Sequence, residues 1–249
     1  MKAKIVNFFS DYKLAFLSGL FIGTTYIPFP PWASVFCFVP LWIFWLNNSQ
    51  SVKKIWWSGW IVQFVLTIIG FNWVAHTLTE FGHLPWPVSI LCLFGFASFA
   101  SLHIPLGGVI WFFLNKRLKL NTFGKLLALP LCVAFVERFY PMIFDWHFGY
   151  TWYWVEAPWI QTGEVWGFRF LSVLTIFFNL AFLLPFLENE KSKAKWAIPA
   201  VAALFVILNG IGWWLKQRLP EADSKLNVMI VQANIGNLEK HIAYAGYRG

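Results

Sequence analysis

The residues of this chain that could do chemistry are three cysteines, five histidines and one Glu-Arg pair set in an apolar run. A thiol attacks as its thiolate, which needs an electropositive, partly exposed setting. Cys37, Cys92 and Cys132 all fall inside apolar stretches and are expected to be small packing residues. The histidines are scattered as His76, His83, His103, His147 and His241. None has the i, i+4 partner of a helical metal site, so neither a metal nor a cofactor is expected. Glu80, Asp145, Glu156 and Glu164 gather in one half of the connections, but no nucleophile, ligand set or glycine-rich phosphate loop accompanies them.

Glu137-Arg138 carries more information. Counted from Asn121 at the helical rise, Glu137 lies about 24 Å along its apolar segment. A charge at that depth either faces a bundle interior or a water-filled cavity, or snorkels outward with a local ion partner. Downstream, Tyr140 to Glu164 holds Trp146, Tyr150, Trp152, Tyr153, Trp154 and Trp159 beside Asp145 and His147. Amphipathic rings of this kind settle at headgroup level, as an aromatic belt or as the lining of a lipid portal. No other large apolar partner outside the membrane is expected for them. Glu137, Arg138, Trp146, His147, Tyr150 and Trp152 are therefore the candidate lipid-binding residues.

The elements that must position these groups follow from composition. Of 249 residues 59% are hydrophobic and 12% charged, with 17 Trp and 28 Phe. An ordinary soluble domain has roughly 25% charged residues, and a disordered chain has few aromatics. Three cysteines cannot form an even disulfide framework. The expected class is an all-α integral membrane bundle of about seven transmembrane helices. Its segments are Leu14 to Ile27, Trp32 to Leu46, Ile55 to Thr79, Trp86 to Leu114, Asn121 to Phe144, Val165 to Leu187 and Trp196 to Leu215. The first two are short, joined by the rigid Pro28-Phe29-Pro30-Pro31 turn with no small-x-small cleavage site, and read as an uncleaved hairpin.

The net charge of +8 does not point to nucleic acid, because the basic residues sit in short clusters between apolar runs. Residues 1–13, 47–54, 115–125 and 188–195 hold 12 of the 19 Lys and Arg. The turns of opposite parity, Pro28 to Pro31 and Glu80 to Pro85, hold none. The positive-inside rule then puts the N-terminus in the cytoplasm and the C-terminal tail outside. Residues 1–215 form the bundle, and 216–224 form a polar linker containing Pro220. Leu226 to Val231, ending in Gln232-Ala233-Asn234, reads as one β-strand. A lone strand is not stable, so residues 225–249 read as the opening of an incomplete α/β domain.

In this order the segments resemble the apolipoprotein N-acyltransferase family of bacterial inner-membrane enzymes. Tyr26 to Trp32 and Phe38-Val39-Pro40-Leu41 are similar to the family's proline-rich turn and Ala-Pro-Leu segment. Gly59, Gly70-Phe71-Asn72-Trp73-Val74 and Leu84-Pro85 are similar to its third span and following turn. Glu137-Arg138, Phe144 to Tyr150, Gln161-Thr162-Gly163-Glu164, Gly167-Phe168 and Phe170-Leu171 resemble its Glu-Trp, Phe-Pro-Trp-x-x-x-Gly-Tyr and Gln-x-x-Glu-x-x-Gly run. Val231 to Ile235 resembles the strand opening its nitrilase-like domain. Departures are Asp145 for proline, Ala233 for glycine, and His241 where a tryptophan often stands.

The resemblance implies transfer of an acyl chain from phospholipid to the amine of a diacylated apolipoprotein. A cysteine thiolate takes the acyl group with a glutamate as base and a lysine at the oxyanion. In the family these three residues lie downstream of the opening strand, so none is assigned here. The expectation is the membrane half of such an enzyme, as a fragment, split gene product or remnant that is inactive alone, with a separately encoded nitrilase-like half as one possible partner. A non-enzymatic lipid-binding scaffold is the alternative. A small transporter is disfavoured by the lack of an internal repeat or paired broken spans.

Overall fold

In the computed structural model, residues 2–25, 29–144 and 146–218 are described, together with Met229 and Gly246. The described chain is helical. Its elements are α1 (Lys2–Asp11), α2 (Lys13–Gly23), α3 (Val39–Asn47), α4 (Val52–Gly70), α5 (Trp73–Glu80), α6 (Trp86–Phe99), α7 (His103–Leu118), α8 (Thr122–Phe139), α9 (Gly163–Trp166), α10 (Phe168–Leu183) and α11 (Lys191–Gln217). Three 3-10 segments, Phe148–Val155, Pro158–Thr162 and Leu184–Phe186, interrupt the second half. The strand expected after Leu226 lies outside the described residues, apart from Met229.

The helices are less uniform than seven even crossings. Among the described residues, three segments are long and apolar enough to cross a membrane: Trp86–Leu118, Phe168–Phe186 and Lys191–Gln217. The pair α4 and α5, bent by 55°, makes a fourth if it counts as one span. α2 and α3 have 11 and 9 residues, while α8 has 18 residues but carries Lys125, Glu137 and Arg138. Large apolar side chains such as Leu91, Phe99, Phe135 and Trp196 stand exposed around the bundle, more than a water-facing surface carries. The outside of this molecule suits lipid.

The breaks have local causes. Pro105 lacks an N–H and its ring would clash with the carbonyl of Ser101, so the expected segment Trp86 to Leu114 divides between α6 and α7. Pro141 ends α8 at Phe139 rather than Phe144, because the residue before a proline avoids helical backbone. Gly167 separates α9 from α10 at φ 81°, a conformation open to glycine at little cost. The first hairpin also unwinds further than expected. Pro30 and Pro31 hold residues 29–38 in turns, and α3 begins at Val39 with Pro40 in its first turn, where a missing N–H is harmless.

Backbone freed in that hairpin finds side-chain partners, as irregular backbone in a membrane must. Asn179 of α10 accepts from the Phe38 N–H at 2.9 Å and donates to the carbonyls of Ser34 and Thr175, each at 2.9 Å. Ser18 Oγ donates to the Cys37 carbonyl, and Thr25 Oγ1 accepts from the Ala33 N–H. Close helix approach does the rest. A Cβ on Gly59 would stand 2.6 Å from Pro105 Cα, so α4 and α7 touch backbone to backbone. Trp45 stacks on Trp111 with centroids 6.1 Å apart, and its Nε1 donates to Ser58 Oγ at 3.0 Å.

Candidate functional site

α8 starts beside Lys125 and runs 18 residues, about 27 Å, so Glu137 and Arg138 lie at its far end from that lysine. Glu137 is buried, with 3% of its surface exposed. Its Oε1 accepts from the Phe148 N–H at 2.9 Å and lies 3.5 Å from His147 Nδ1. Of the two sequence readings of this carboxylate, the inward-facing one holds. Its partners among the described residues come from the segment after the helix, not from Arg138. Arg138 is exposed and places its guanidinium 5.2 Å from the Phe139 ring centroid.

α10 supplies the opposite wall. Arg169 Nη1 donates to the Arg138 carbonyl at 3.1 Å, tying the start of α10 to the end of α8. Ser172 Oγ accepts from the Gly149 N–H at 2.7 Å. Between these elements lies a cleft of about 260 Å³, lined by Glu137, Arg138, His147, Trp166, Arg169 and Ser172, among others. The two arginines that line it suit an anionic oxygen ligand, since arginine donates to phosphate through a planar fork. His147 stacks on Tyr150 at 5.9 Å, and Tyr150 packs on Phe168 at 4.6 Å, which fixes the imidazole plane.

The six residues singled out in the sequence divide in two. Glu137, Arg138 and His147 come together at the cleft. Tyr150 backs it, half-buried. Trp146 and Trp152 are buried at 5% and 8% exposure. Trp146 packs on Phe148 at 4.9 Å, while Trp152 Nε1 donates to Thr175 Oγ1 at 2.8 Å. Part of the loop thus packs into the bundle itself. Trp152 and Trp159 share an interior cluster with Leu171, Phe178 and Leu208. Thr151 Oγ1 also donates to the Thr25 carbonyl, fastening the loop to the N-terminal hairpin. Asp145 lies outside the described residues.

The outward rings are Tyr153 and Trp154, exposed by 65% and 51%, with Trp166. Brominated phospholipid should therefore quench Trp154 and Trp166 and spare Trp45 and Trp159. Replacing the first pair by Phe is expected to remove a larger share of the quenchable fluorescence than replacing the second. Equal losses would mean that this loop does not meet lipid.

Arg169 and Ser172 are site residues that the sequence reading does not single out. A usable signal was present, because Ser172, Thr175 and Asn179 recur at helical spacing along one face of an apolar segment. Cys37 and Cys132 are buried and Cys92 is exposed on α6, and none of them lines the cleft. Among the described residues no group of His, Cys, Asp or Glu is placed to hold a metal ion.

Residues 18–181 match the family model described as the Apolipoprotein N-acyltransferase N-terminal domain. The chain is 43% identical over 237 residues to an apolipoprotein N-acyltransferase of Bdellovibrio bacteriovorus, covering 95% of this chain and 43% of that one. It is 26% identical over 236 residues to one from Geobacter metallireducens, covering 90% and 43%. It is 26% identical over 205 residues to apolipoprotein N-acyltransferase 2 of Leptospira interrogans, covering 78% and 34%. The chain thus spans less than half the length of these curated relatives. With the family model covering more than half of its residues, from α2 to α10, the chain belongs to the apolipoprotein N-acyltransferase N-terminal domain family.

Proposed function

We propose that this chain is the membrane portion of an apolipoprotein N-acyltransferase, and that its arginine-lined cleft receives the phosphate end of a phospholipid. The observation that carries the reading is the joining of Arg138 and Arg169 over the buried Glu137 and His147. Phosphate meets the guanidinium groups, while the acyl chains lie along the exposed apolar flank of Phe135, Phe139 and Trp166. Trp146, Tyr150 and Trp152 hold the cleft loop from behind. The donor lipid and the diacylated apolipoprotein are the substrates in this reading.

The reading places the basic ends of the helices in the cytoplasm and the cleft on the outer side of a bacterial inner membrane, supported by the uneven spread of Lys and Arg. Residues 1–215 act as the bundle, 216–224 as a linker, and 225–249 as the opening of a nitrilase-like domain. That domain, in the same polypeptide or in a separate one, supplies the thiolate that carries the acyl group as a thioester. The bundle binds and orients, and the nitrilase-like part does the covalent chemistry.

The test offers labelled phospholipid and a diacylated lipopeptide to residues 1–249, with the R138Q/R169Q variant alongside. The expected result is saturable binding of phospholipid, weakened at least tenfold in the variant, with no acyl-lipopeptide formed by either. Undiminished binding in the variant would remove the cleft from the reading. Acyl-lipopeptide made by these residues alone would place a catalytic group inside the bundle. If the chain, joined or mixed with a nitrilase-like part, binds lipid and transfers nothing, the non-enzymatic scaffold replaces the enzyme.

A further inference from the structure

The basic end of the bundle carries a cavity for which acyl transfer has no use. It lies between the turn joining α3 to α4, the last turn of α7 and the start of α8. Its volume is about 300 Å³, and its lining includes Ser49, Gln50, Trp111, Asn115, Lys116 and Lys125. That is the lower end of the size range of small-molecule sites, roughly 300–1,000 Å³. No lining residue is acidic. Trp111 is fully buried and its Nε1 donates to the Lys125 carbonyl at 3.0 Å, so the wall between α7 and α8 is rigid.

Asn115 is the telling residue. Its Nδ2 and Oδ1 are both buried, and neither has a hydrogen-bond partner among the described residues. Leaving buried polar atoms unpaired costs about 1–3 kcal/mol each, so an amide kept here calls for an external partner. That partner must accept a hydrogen bond from Nδ2 and donate one to Oδ1. Lys116 and Lys125 on the same cavity call for negative charge. A phosphate satisfies the charge and the acceptor, and a neighbouring hydroxyl satisfies the donor.

We propose that this cavity binds the phosphoglycerol head group of an anionic phospholipid. The phosphate sits between the Lys116 and Lys125 ammonium groups and takes the Asn115 N–H, while a glycerol hydroxyl donates to Asn115 Oδ1. Leu46 and Phe112 line the same cavity, and Phe113 and Leu118 of the same helix α7 are exposed, which gives acyl chains apolar surface near the head group. A basic pocket between membrane helices is a known form of acidic-lipid site, whereas the ammonium of a zwitterionic lipid would face two lysines. Neither the cleft at the other end of α8 nor acyl transfer enters this inference.

The experiment uses the full chain, stripped of lipid in detergent and followed by native mass spectrometry and thermal unfolding. Phosphatidylglycerol should be retained and should raise the midpoint, while phosphatidylcholine of the same chain length should do neither. K116Q/K125Q should weaken retention roughly thirtyfold, from about a fivefold contribution per basic residue. Asn115→Leu should also weaken retention, yet raise the lipid-free midpoint because its unpaired amide is gone, which separates lost binding from lost folding. Equal retention of the two lipids, or unchanged retention in Asn115→Leu, would overturn the proposal. Equal protection by sn-glycerol 3-phosphate would assign the site to a soluble phosphate and overturn the lipid as its source.

Discussion

Replacing Glu137 by leucine is expected to destabilise the bundle by about 3 kcal/mol. The carboxylate is the acceptor for the Phe148 N–H and the partner of His147, and all three groups are buried. An aliphatic side chain of similar size fills the space but strands the amide and removes the carboxylate that lies beside the imidazole. Each such loss is worth roughly 1–3 kcal/mol. Glu137→Gln keeps an oxygen for the Phe148 amide and should cost about 1 kcal/mol. Thermal unfolding in detergent measures both. Equal costs for the two variants would show that the buried oxygen does not hold the cleft loop in place.

The second large effect is expected at Gly212. A Cβ there would lie 2.0 Å from the Pro158 carbonyl oxygen and 2.8 Å from Trp159 Cα, both backbone atoms. Neither can swing away as a side chain would, so α11 must move off the Pro158–Thr162 segment. Forced overpacking costs typically 1–3 kcal/mol, and Gly212→Ala should lie at the upper end. Trp159, now fully buried against Phe205, should become accessible to a soluble quencher. Gly210 is the control, because a Cβ there meets nothing within 4 Å. Gly210→Ala should be neutral or stabilising by up to about 1 kcal/mol through helix propensity. Similar behaviour of the two variants would refute a tight α11 contact.

The contrast between these two sites shows what a sequence displays and what it hides. Glu137 stands out because a charge is rare within an apolar run, and the proline pair at residues 30–31 stands out because it cannot continue a helix. Gly212 is one glycine among 17, and its meaning comes from Pro158, a residue on a different element. The aromatic loop behaves similarly. Its rings are all amphipathic, so composition suggests an interface. Which of them turn inward depends on partners far along the chain: Thr175 takes the Trp152 indole N–H, and Asn209 Oδ1 accepts from the Trp159 backbone N–H at 3.4 Å, fastening the segment that carries the ring to α11. Arg169 does not stand out in the sequence, because a basic residue at the head of an apolar helix ordinarily signals only the membrane boundary.

Asn179 holds together two parts of the chain made far apart in time. Its bonds to Phe38 and Ser34 span 141 and 145 residues, and the Thr151 bond to Thr25 spans 126. At about 5–20 residues per second of synthesis, roughly 7–30 seconds separate the hairpin from the side chains that complete it. During that interval the Phe38 amide and the Ser34 and Thr25 carbonyls lack the partners they will keep, in a solvent that offers none. The hairpin must therefore linger near water or beside the insertion machinery until α10 arrives. A segment synthesised before α4 is thus completed only after α10.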